Sequence, residues 1–134
     1  MKILIAEDDL TSRTILKSIL QKWDHEVIAA SDGEEAWALL QQPSAPSRVV
    51  LDWMMPGLDG PALCRRLRAQ ERPLPTYMIL LTSKSSKNDV LLGLEAGADD
   101  FIQKPYYPEE LRARIGVGMR ILDLMLQEAK RPII

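Results

Sequence analysis

The chain has 134 residues, of which 46% are hydrophobic and 27% are charged, and its formal net charge is -2. These values are typical of one globular domain in water, and the slight acidic excess offers no basic footprint, so we expect no direct nucleic-acid binding. The single cysteine excludes an internal disulfide, and no apolar run approaches the roughly 20 residues that cross a bilayer. Because the N-terminus also lacks a secretory signal, we expect a cytoplasmic protein without a membrane segment.

Short apolar runs rich in Ile and Val alternate with longer stretches whose apolar residues recur at helical spacing. This alternation predicts five repeats of a strand followed by a helix. The predicted strands are 2–6, 26–29, 48–51, 77–81 and 100–103. The predicted helices are 11–23, 33–40, 60–69, 87–96 and 108–130. The first and third strands are apolar on both faces, which indicates a parallel sheet covered by helices on each side, a doubly wound α/β fold.

The last predicted helix differs from the others in its period. Its apolar positions are separated by alternating steps of four and three, at Leu111, Ile115, Gly118, Leu122, Met125 and Ala129. A 3.5-residue period favours a coiled-coil seam, so we divide the chain into a domain at 1–120 and an extension at 121–134. An ordinary amphipathic last helix is an equal alternative, because three heptads are few and two glycines weaken the helix.

Polar side chains are concentrated where the predicted strands end. Glu7 and Asp8 follow the first strand, Asp52 ends the third, Thr82 follows the fourth and Lys104 follows the fifth. In an open parallel sheet, ligands bind beyond the carboxyl ends of the strands, so these five groups converge on one edge. Crowded carboxylates repel one another, and a divalent cation keeps them ionised at neutral pH.

Hard oxygen ligands are typical of a magnesium site, which keeps several waters and leaves positions for a phosphate oxygen. We predict that Asp8 and Asp52 bind Mg²⁺ directly and that Glu7 acts through a water. The Asp52 carboxylate is also a candidate nucleophile towards phosphorus. Charge on the transferred oxygens would then be neutralised by Mg²⁺, the Lys104 ammonium and the Thr82 hydroxyl.

Six segments carry a family resemblance. They are Ile3-Leu4-Ile5-Ala6-Glu7-Asp8-Asp9, Asp32-Gly33, Val50-Leu51-Asp52-Trp53-Met54-Met55-Pro56-Gly57-Leu58-Asp59-Gly60, Leu81-Thr82-Ser83, Ala96-Gly97-Ala98-Asp99-Asp100 and Lys104-Pro105. In this order and spacing they resemble the receiver domain of two-component response regulators over roughly 2–120. The resemblance implies a flavodoxin-like sheet of order 2-1-3-4-5 with an extended C-terminal helix.

The resemblance also implies roles for the site residues. The residue matching Asp52 accepts a phosphoryl group from a sensor histidine kinase or a phosphotransfer protein. Those matching Glu7 and Asp8 hold Mg²⁺, and the backbone carbonyl matching Met54 completes the coordination.

Further positions carry over in the same way. The residues matching Thr82 and Lys104 contact the phosphoryl group, Phe101 occupies the aromatic switch position, and the peptide bond before Pro105 is expected to be cis. Phosphorylation would alter the surface of the fourth helix, fifth strand and fifth helix. Because Met54 cannot hydrogen-bond an attacking water and Lys84 would lean over the phosphoryl oxygens, we expect a long-lived phosphorylated state.

The end of the chain resembles the connectors that join receivers to diguanylate cyclase or other output domains. We therefore expect an output domain in cis or a partner protein, and a homodimer through the last helix is a further expectation. The chain itself is expected to be a switch that catalyses its own phosphorylation and dephosphorylation. An enzyme reading is disfavoured, because magnesium phosphatases with an Asp nucleophile have a second Asp where this chain has Met54.

Two other functions compete with the phosphorylation switch. A flavin or nucleotide carrier needs Gly, Ser or Thr amides after the first strand, whereas the acidic run there repels a phosphate without metal. The remaining alternative is a receiver-like docking module that works without phosphate. The complete acidic set, together with Thr82 and Lys104, argues against it.

Overall fold

The computed structural model describes residues 2–84 and 86–130, with side chains described as far as residue 128. Five strands alternate with five helices: β1 Lys2–Ala6, α1 Leu10–Lys22, β2 Glu26–Ala30, α2 Gly33–Leu40, β3 Arg48–Asp52, α3 Gly60–Ala69, β4 Tyr77–Thr82, α4 Lys87–Ala96, β5 Asp100–Gln103 and α5 Pro108–Lys130. Within these ranges, no helix is both long and apolar enough to cross a membrane.

All four strand pairings are parallel, and the sheet order is β2-β1-β3-β4-β5. The predicted doubly wound α/β fold and its strand order are therefore confirmed. The predicted bounds differ from the observed ones by one residue at α1 and at three strands. β3 and β4 each continue through one more residue, Asp52 and Thr82, so these two side chains are held by the sheet itself.

The two faces of the sheet carry separate cores. Leu4, Leu51 and Leu80 face α2, α3 and α4. Ile5, Val50 and neighbouring strand residues face α1 and α5. Because successive strand side chains point to opposite faces, strands buried on both sides must be apolar at almost every position. Each fully buried Leu or Ile side chain contributes roughly 1.5–3 kcal/mol, which fixes the strands against the helices.

Short polar side chains begin the helices that surround the site. The carboxylates of Asp9, Asp32 and Asp59 accept hydrogen bonds from the amides of residues three positions later, as does the Ser86 hydroxyl. These bonds satisfy amide groups that a helix N-terminus leaves without partners. At the other end of α4, Gly97 has φ 111°, a left-handed conformation that favours glycine.

The first part of the apolar seam predicted for the last helix packs against the domain's own sheet. Leu111, Ile115, Gly118 and Leu122 are buried, and the three larger side chains belong to the core that covers the sheet. The described part of α5 up to Leu122 thus matches the ordinary amphipathic alternative. Further along, Met125 is exposed, and the last predicted seam position lies outside the residues whose side chains are described. A connector role for 121–134 stays a prediction, and 131–134 lie outside the described residues.

Two glycines of α5 provide a test of this docking. A Cβ atom at Gly118 would lie 2.7 Å from Cδ1 of Tyr77, whereas a Cβ at Gly116 meets nothing within 4 Å. We expect Gly116→Ala to stabilise the domain by about 1 kcal/mol through helix propensity. Gly118→Ala should instead destabilise it by about 1–3 kcal/mol through overpacking.

Urea unfolding of both variants measures the difference. Equal stabilisation by the two substitutions would contradict the docking of α5 on Tyr77.

Candidate functional site

Three carboxylates meet beyond the carboxyl ends of β1 and β3. Glu7 and Asp8 follow β1, Asp52 ends β3, and one oxygen of each lies within 4.8 Å of the others. Glu7 and Asp52 are only 4% and 7% exposed, whereas Asp8 is exposed to solvent. The structure therefore brings together the acidic group that the sequence predicts, with two members shielded from water.

Lys104 is the cation within reach of this group. Its Nζ lies 2.7 Å from Oδ1 of Asp52 and 3.6 Å from Oε2 of Glu7. Burial alone would lower the pKa of the Lys104 ammonium, but the hydrogen bond and charge of Asp52 raise it, so Lys104 stays protonated. The peptide bond between Lys104 and Pro105 is cis, as the resemblance implied.

The burial of the Glu7 carboxyl group is poorly compensated by hydrogen bonds. Its Oε2 atom is buried and finds no hydrogen-bond partner among the described residues. Burial raises the pKa of Glu7 to about 8, and the hydrogen bond and negative charge of Asp52 act in the same direction. One lysine therefore does not neutralise three carboxylates, and without a bound metal ion the site favours the protonated form of Glu7.

These features fit a hard divalent cation. Carboxylate oxygens are the ligands that Mg²⁺ prefers, and the orphaned oxygen of Glu7 is an acceptor that a cation would satisfy. Met54, the predicted source of a backbone ligand, follows Asp52 by two residues, and its side chain is 59% exposed.

Thr82 ends β4 beside the carboxylates and is buried. Its hydroxyl oxygen accepts a hydrogen bond of 2.8 Å from the backbone amide of Lys84. The Lys84 ammonium lies 5.9 Å from the centre of the Trp53 ring, a distance typical of a cation–π contact. In this structure Lys84 thus stands at the rim of the site against an aromatic ring.

No role was predicted for Trp53 or Gly93, although both belong to the surroundings of Phe101. Trp53 is buried, and its ring centre lies 6.2 Å from that of Phe101. Gly93 on α4 lies directly against the Phe101 ring. The adjacency of Trp53 to Asp52 was a usable signal. A glycine inside a helix offered none, because its contact is made through the tertiary fold.

An apolar groove also opens beside the site. It is a cavity of about 540 Å³ between α1 and the loop after β5, and it is lined by Ile15, Ile19 and Tyr106 among others. Glu7 and Lys104 form part of the same lining, so the groove leads directly to the charged cluster. The helical period of α1 predicted an apolar face but not an uncovered part of it.

The model of the response regulator receiver domain matches residues 3–116. The chain belongs to the response regulator receiver family. This confirms the resemblance inferred from the six segments, and members of the family bind Mg²⁺ at an acidic pocket of this kind.

Individual relatives agree with the assignment. The receiver is 41% identical over 119 residues to the alkaline phosphatase synthesis transcriptional regulatory protein PhoP of Bacillus subtilis (strain 168), covering 89% of this chain and 48% of that protein. It matches the BeF3-activated N-terminal receiver domain of Klebsiella pneumoniae RstA with a TM-score of 0.81 and 38% identity, covering 90% and 99% of the two chains. A probable two-component system response regulator/GGDEF domain protein gives a TM-score of 0.84 and 32% identity, covering 92% and 50%.

The chain spans about half the length of the curated relatives it matches. Because PhoP is named a transcriptional regulatory protein, the expectation of no direct nucleic-acid binding gains no support.

The raised pKa of Glu7 predicts how stability depends on pH. Its pKa is 4.5 before burial and about 8 in the folded receiver, so the folded state binds the proton more tightly. The resulting stabilisation is complete below pH 4.5 and is lost as the pH rises towards 8. We expect thermal unfolding in chelator to show a steeper loss over this window in wild type than in Glu7→Gln.

Magnesium should reduce the loss in wild type, because the cation favours ionised Glu7. Identical pH profiles of the two proteins in chelator would contradict the inferred burial of an uncompensated carboxyl group.

Proposed function

We propose that this receiver is a phosphorylation switch of a two-component system, in which Asp52 accepts a phosphoryl group in a magnesium-dependent reaction. The observation that carries the proposal is the convergence of three carboxylates with Lys104, whose Nζ lies 2.7 Å from Asp52 Oδ1. A carboxylate beside a fixed ammonium and a cation site has the surroundings that phosphoryl transfer requires. The receiver then catalyses its own phosphorylation and dephosphorylation and is not an enzyme for a separate substrate.

Mg²⁺ would be held by Glu7, Asp8 and Asp52, with the backbone carbonyl of Met54 as a further oxygen ligand. The buried oxygen of Glu7 that lacks a hydrogen-bond partner supports this assignment. A bound ion would offset negative charge on the phosphoryl oxygens during the transfer. The proximity of the three carboxylates is favourable only with such a cation, since otherwise they repel one another.

The reaction forms one bond and breaks one. A carboxylate oxygen of Asp52 attacks phosphorus, and the bond between phosphorus and the leaving atom of the donor breaks. With a phosphohistidine donor, that atom is an imidazole nitrogen, which keeps the electron pair of the broken bond. Lys104 balances negative charge on the phosphoryl oxygens.

The Thr82 hydroxyl is the proposed hydrogen-bond donor to the phosphoryl group. A hydroxyl has one proton and two lone pairs. The Thr82 oxygen accepts a hydrogen bond from the backbone amide of Lys84, so the hydroxyl proton of Thr82 stays available to donate to a phosphoryl oxygen.

The phosphoryl donor is a sensor histidine kinase or a phosphotransfer protein. Such a donor must bring a phosphohistidine to Asp52, so it needs a docking surface beside the site. The groove along α1 supports this requirement, because it is apolar and continues into Glu7 and Lys104. Ile15, which lines the groove, is exposed and would be covered by the donor protein.

The output follows from a population shift. Phosphorylation draws Thr82 inward, Phe101 repacks, and the surface formed by α4, β5 and α5 changes. Residues 121–134 then connect the receiver to an output domain or contribute to a homodimer. Ile121 and Leu124, 40% and 65% exposed, support a contact of α5 beyond the domain. An output that regulates transcription, as the name of PhoP suggests, and a GGDEF output are both compatible with this connection.

Phosphorylation is tested by intact mass. After incubation with Mg²⁺ and acetyl phosphate, we expect wild type to gain one phosphoryl group, because the small donor bypasses the kinase. Asp52→Asn should gain none, and chelator should abolish the gain in wild type.

Asp24→Asn is a matched control, since Asp24 lies in a turn with φ 67°, a conformation that asparagine tolerates. This variant should be phosphorylated like wild type. If wild type gains no mass under any condition, the proposal is wrong, and a phosphate-independent docking module becomes the better function.

The lifetime of the phosphorylated state depends on the residue at position 54. We expect Met54→Asn to hydrolyse faster by roughly fivefold, because an amide can hold the attacking water through a hydrogen bond worth about 1 kcal/mol. The decay of the phosphorylated mass after donor removal measures the rate. Met54→Leu is the apolar control and should decay like wild type.

Lys84→Met should also shorten the lifetime of the phosphorylated state, because the Lys84 side chain is predicted to lean over the phosphoryl oxygens.

An unchanged or slower decay in Met54→Asn would contradict the role of Met54 in slowing hydrolysis of the phosphorylated state.

A further inference from the structure

The Phe101 ring occupies a slot between β5 and α4. One wall is the backbone of Gly93, a second is Leu80 on the neighbouring strand, and a third is Trp53, whose ring is tilted by 40° at a centroid distance of 6.2 Å. Phe101 therefore contacts both α4 and Trp53, the residue that directly follows Asp52.

Only glycine at position 93 leaves room for this ring. A Cβ atom there would overlap with Cζ of Phe101 and would lie 2.7 Å from its Cε1 and 3.2 Å from Cδ1 of Leu80. The backbone gives no other reason for glycine, because Gly57 and Gly97 are the glycines with positive φ in the described chain. A glycine inside a helix costs about 1 kcal/mol relative to alanine. Glycine at position 93 thus lowers the stability of α4 but leaves space for the Phe101 ring.

A second place for the ring lies next to the slot. A cavity of about 460 Å³ between α4, β5 and α5 is lined by Phe101 itself and by Thr82, Val90 and Tyr107. A cavity of roughly 150 Å³ suffices to hold benzene. The space beside the slot is therefore large enough for the phenyl ring.

Both places are connected to the phosphorylation site. Trp53, a wall of the slot, follows Asp52 and lies under the Lys84 ammonium. Thr82, a wall of the cavity, is the residue that the proposed phosphoryl group attracts. Movement of Thr82 towards Asp52 would enlarge the cavity and would leave the slot unchanged.

We propose that Gly93 is a positioning residue that sets the equilibrium of Phe101 between slot and cavity and thereby sets the affinity of the site for a phosphoryl group. The inference rests on the proposed function. A methyl group at position 93 expels the ring from the slot and favours the state in which Thr82 has moved. Because coupling between two sites is reciprocal in binding free energy, this substitution tightens binding at Asp52.

The test uses beryllofluoride as the phosphoryl analogue, titrated by calorimetry into the whole chain with saturating Mg²⁺. Gly93→Ala should bind it roughly fivefold or more tightly than wild type, the lower end of common allosteric couplings. Gly116→Ala is the matched control, since it gains the same helix propensity in open space and should leave the affinity unchanged.

A double-variant cycle shows whether the effect runs through the ring. Phe101→Leu removes the atoms that meet position 93, so Gly93→Ala should change the affinity little in that background. Equal tightening with and without the ring would overturn the proposal, as would an unchanged or weaker affinity of Gly93→Ala.

A measurement without ligand separates this inference from the proposed function. With Trp23→Phe and Trp37→Phe as background, Trp53 is the only tryptophan, and Gly93→Ala should shift its emission because the Phe101 contact is lost. An unshifted Trp53 emission would overturn the claim that Gly93→Ala displaces Phe101 from the slot. If wild type binds no beryllofluoride although the emission shifts, the proposed function fails while the slot stands.

A substitution at Phe101 covers the case in which Gly93→Ala does not fold. Phe101→Trp places a ring too large for the slot opposite an unchanged Gly93, and it should tighten beryllofluoride binding in the same calorimetric titration. Unchanged binding by a folded Phe101→Trp would overturn the proposal.

Discussion

Electrostatic repulsion among Glu7, Asp8 and Asp52 is the constraint on which the rest of the structure depends. One oxygen of each lies within 4.8 Å of the others, and two of the three residues are buried. One ammonium group, that of Lys104, offsets only part of the charge. The site is therefore complete only with further positive charge, which makes its state sensitive to a cation and to the phosphoryl group that the cation would help to bind.

The sheet holds the backbones of these residues close together. Hydrogen bonds continue the strand pairings one residue beyond the strands, from Glu7 N to Ala30 O at 3.1 Å, from Trp53 N to Leu81 O at 2.9 Å and from Lys104 N to Thr82 O at 2.7 Å. The backbones that carry the charged side chains can separate only if such a bond breaks, and each buried backbone group left unpaired is costly. The apolar cores on both faces thus stabilise a charged edge that would be unfavourable alone.

Patterns local in the sequence predicted the fold and the charged cluster. A strand apolar on both faces has few alternatives, and Asp52 and Lys104 follow from the ends of such strands. The partner of α5 could not be predicted in this way, because a stripe such as Leu111 and Ile115 is the same whether it meets the domain's own sheet or a second helix. The slot at Gly93 was equally inaccessible, since its walls come from three elements distant in sequence.

The way α4 is held explains why a small change at the site can reach the surface. The helix buries only Gly93 and Ala96 and exposes four aliphatic side chains, Val90, Leu91, Leu92 and Leu94. Its C-terminal end is fixed, because Arg68 donates hydrogen bonds to the carbonyl of Gly97 and to the carboxylate of Asp99. A helix fixed at one end, with little apolar surface buried along its length, can shift at low cost. The contact between Phe101 and Gly93 lies within this weakly buried length, where a ring displaced by the chemistry at Asp52 has the greatest effect on α4.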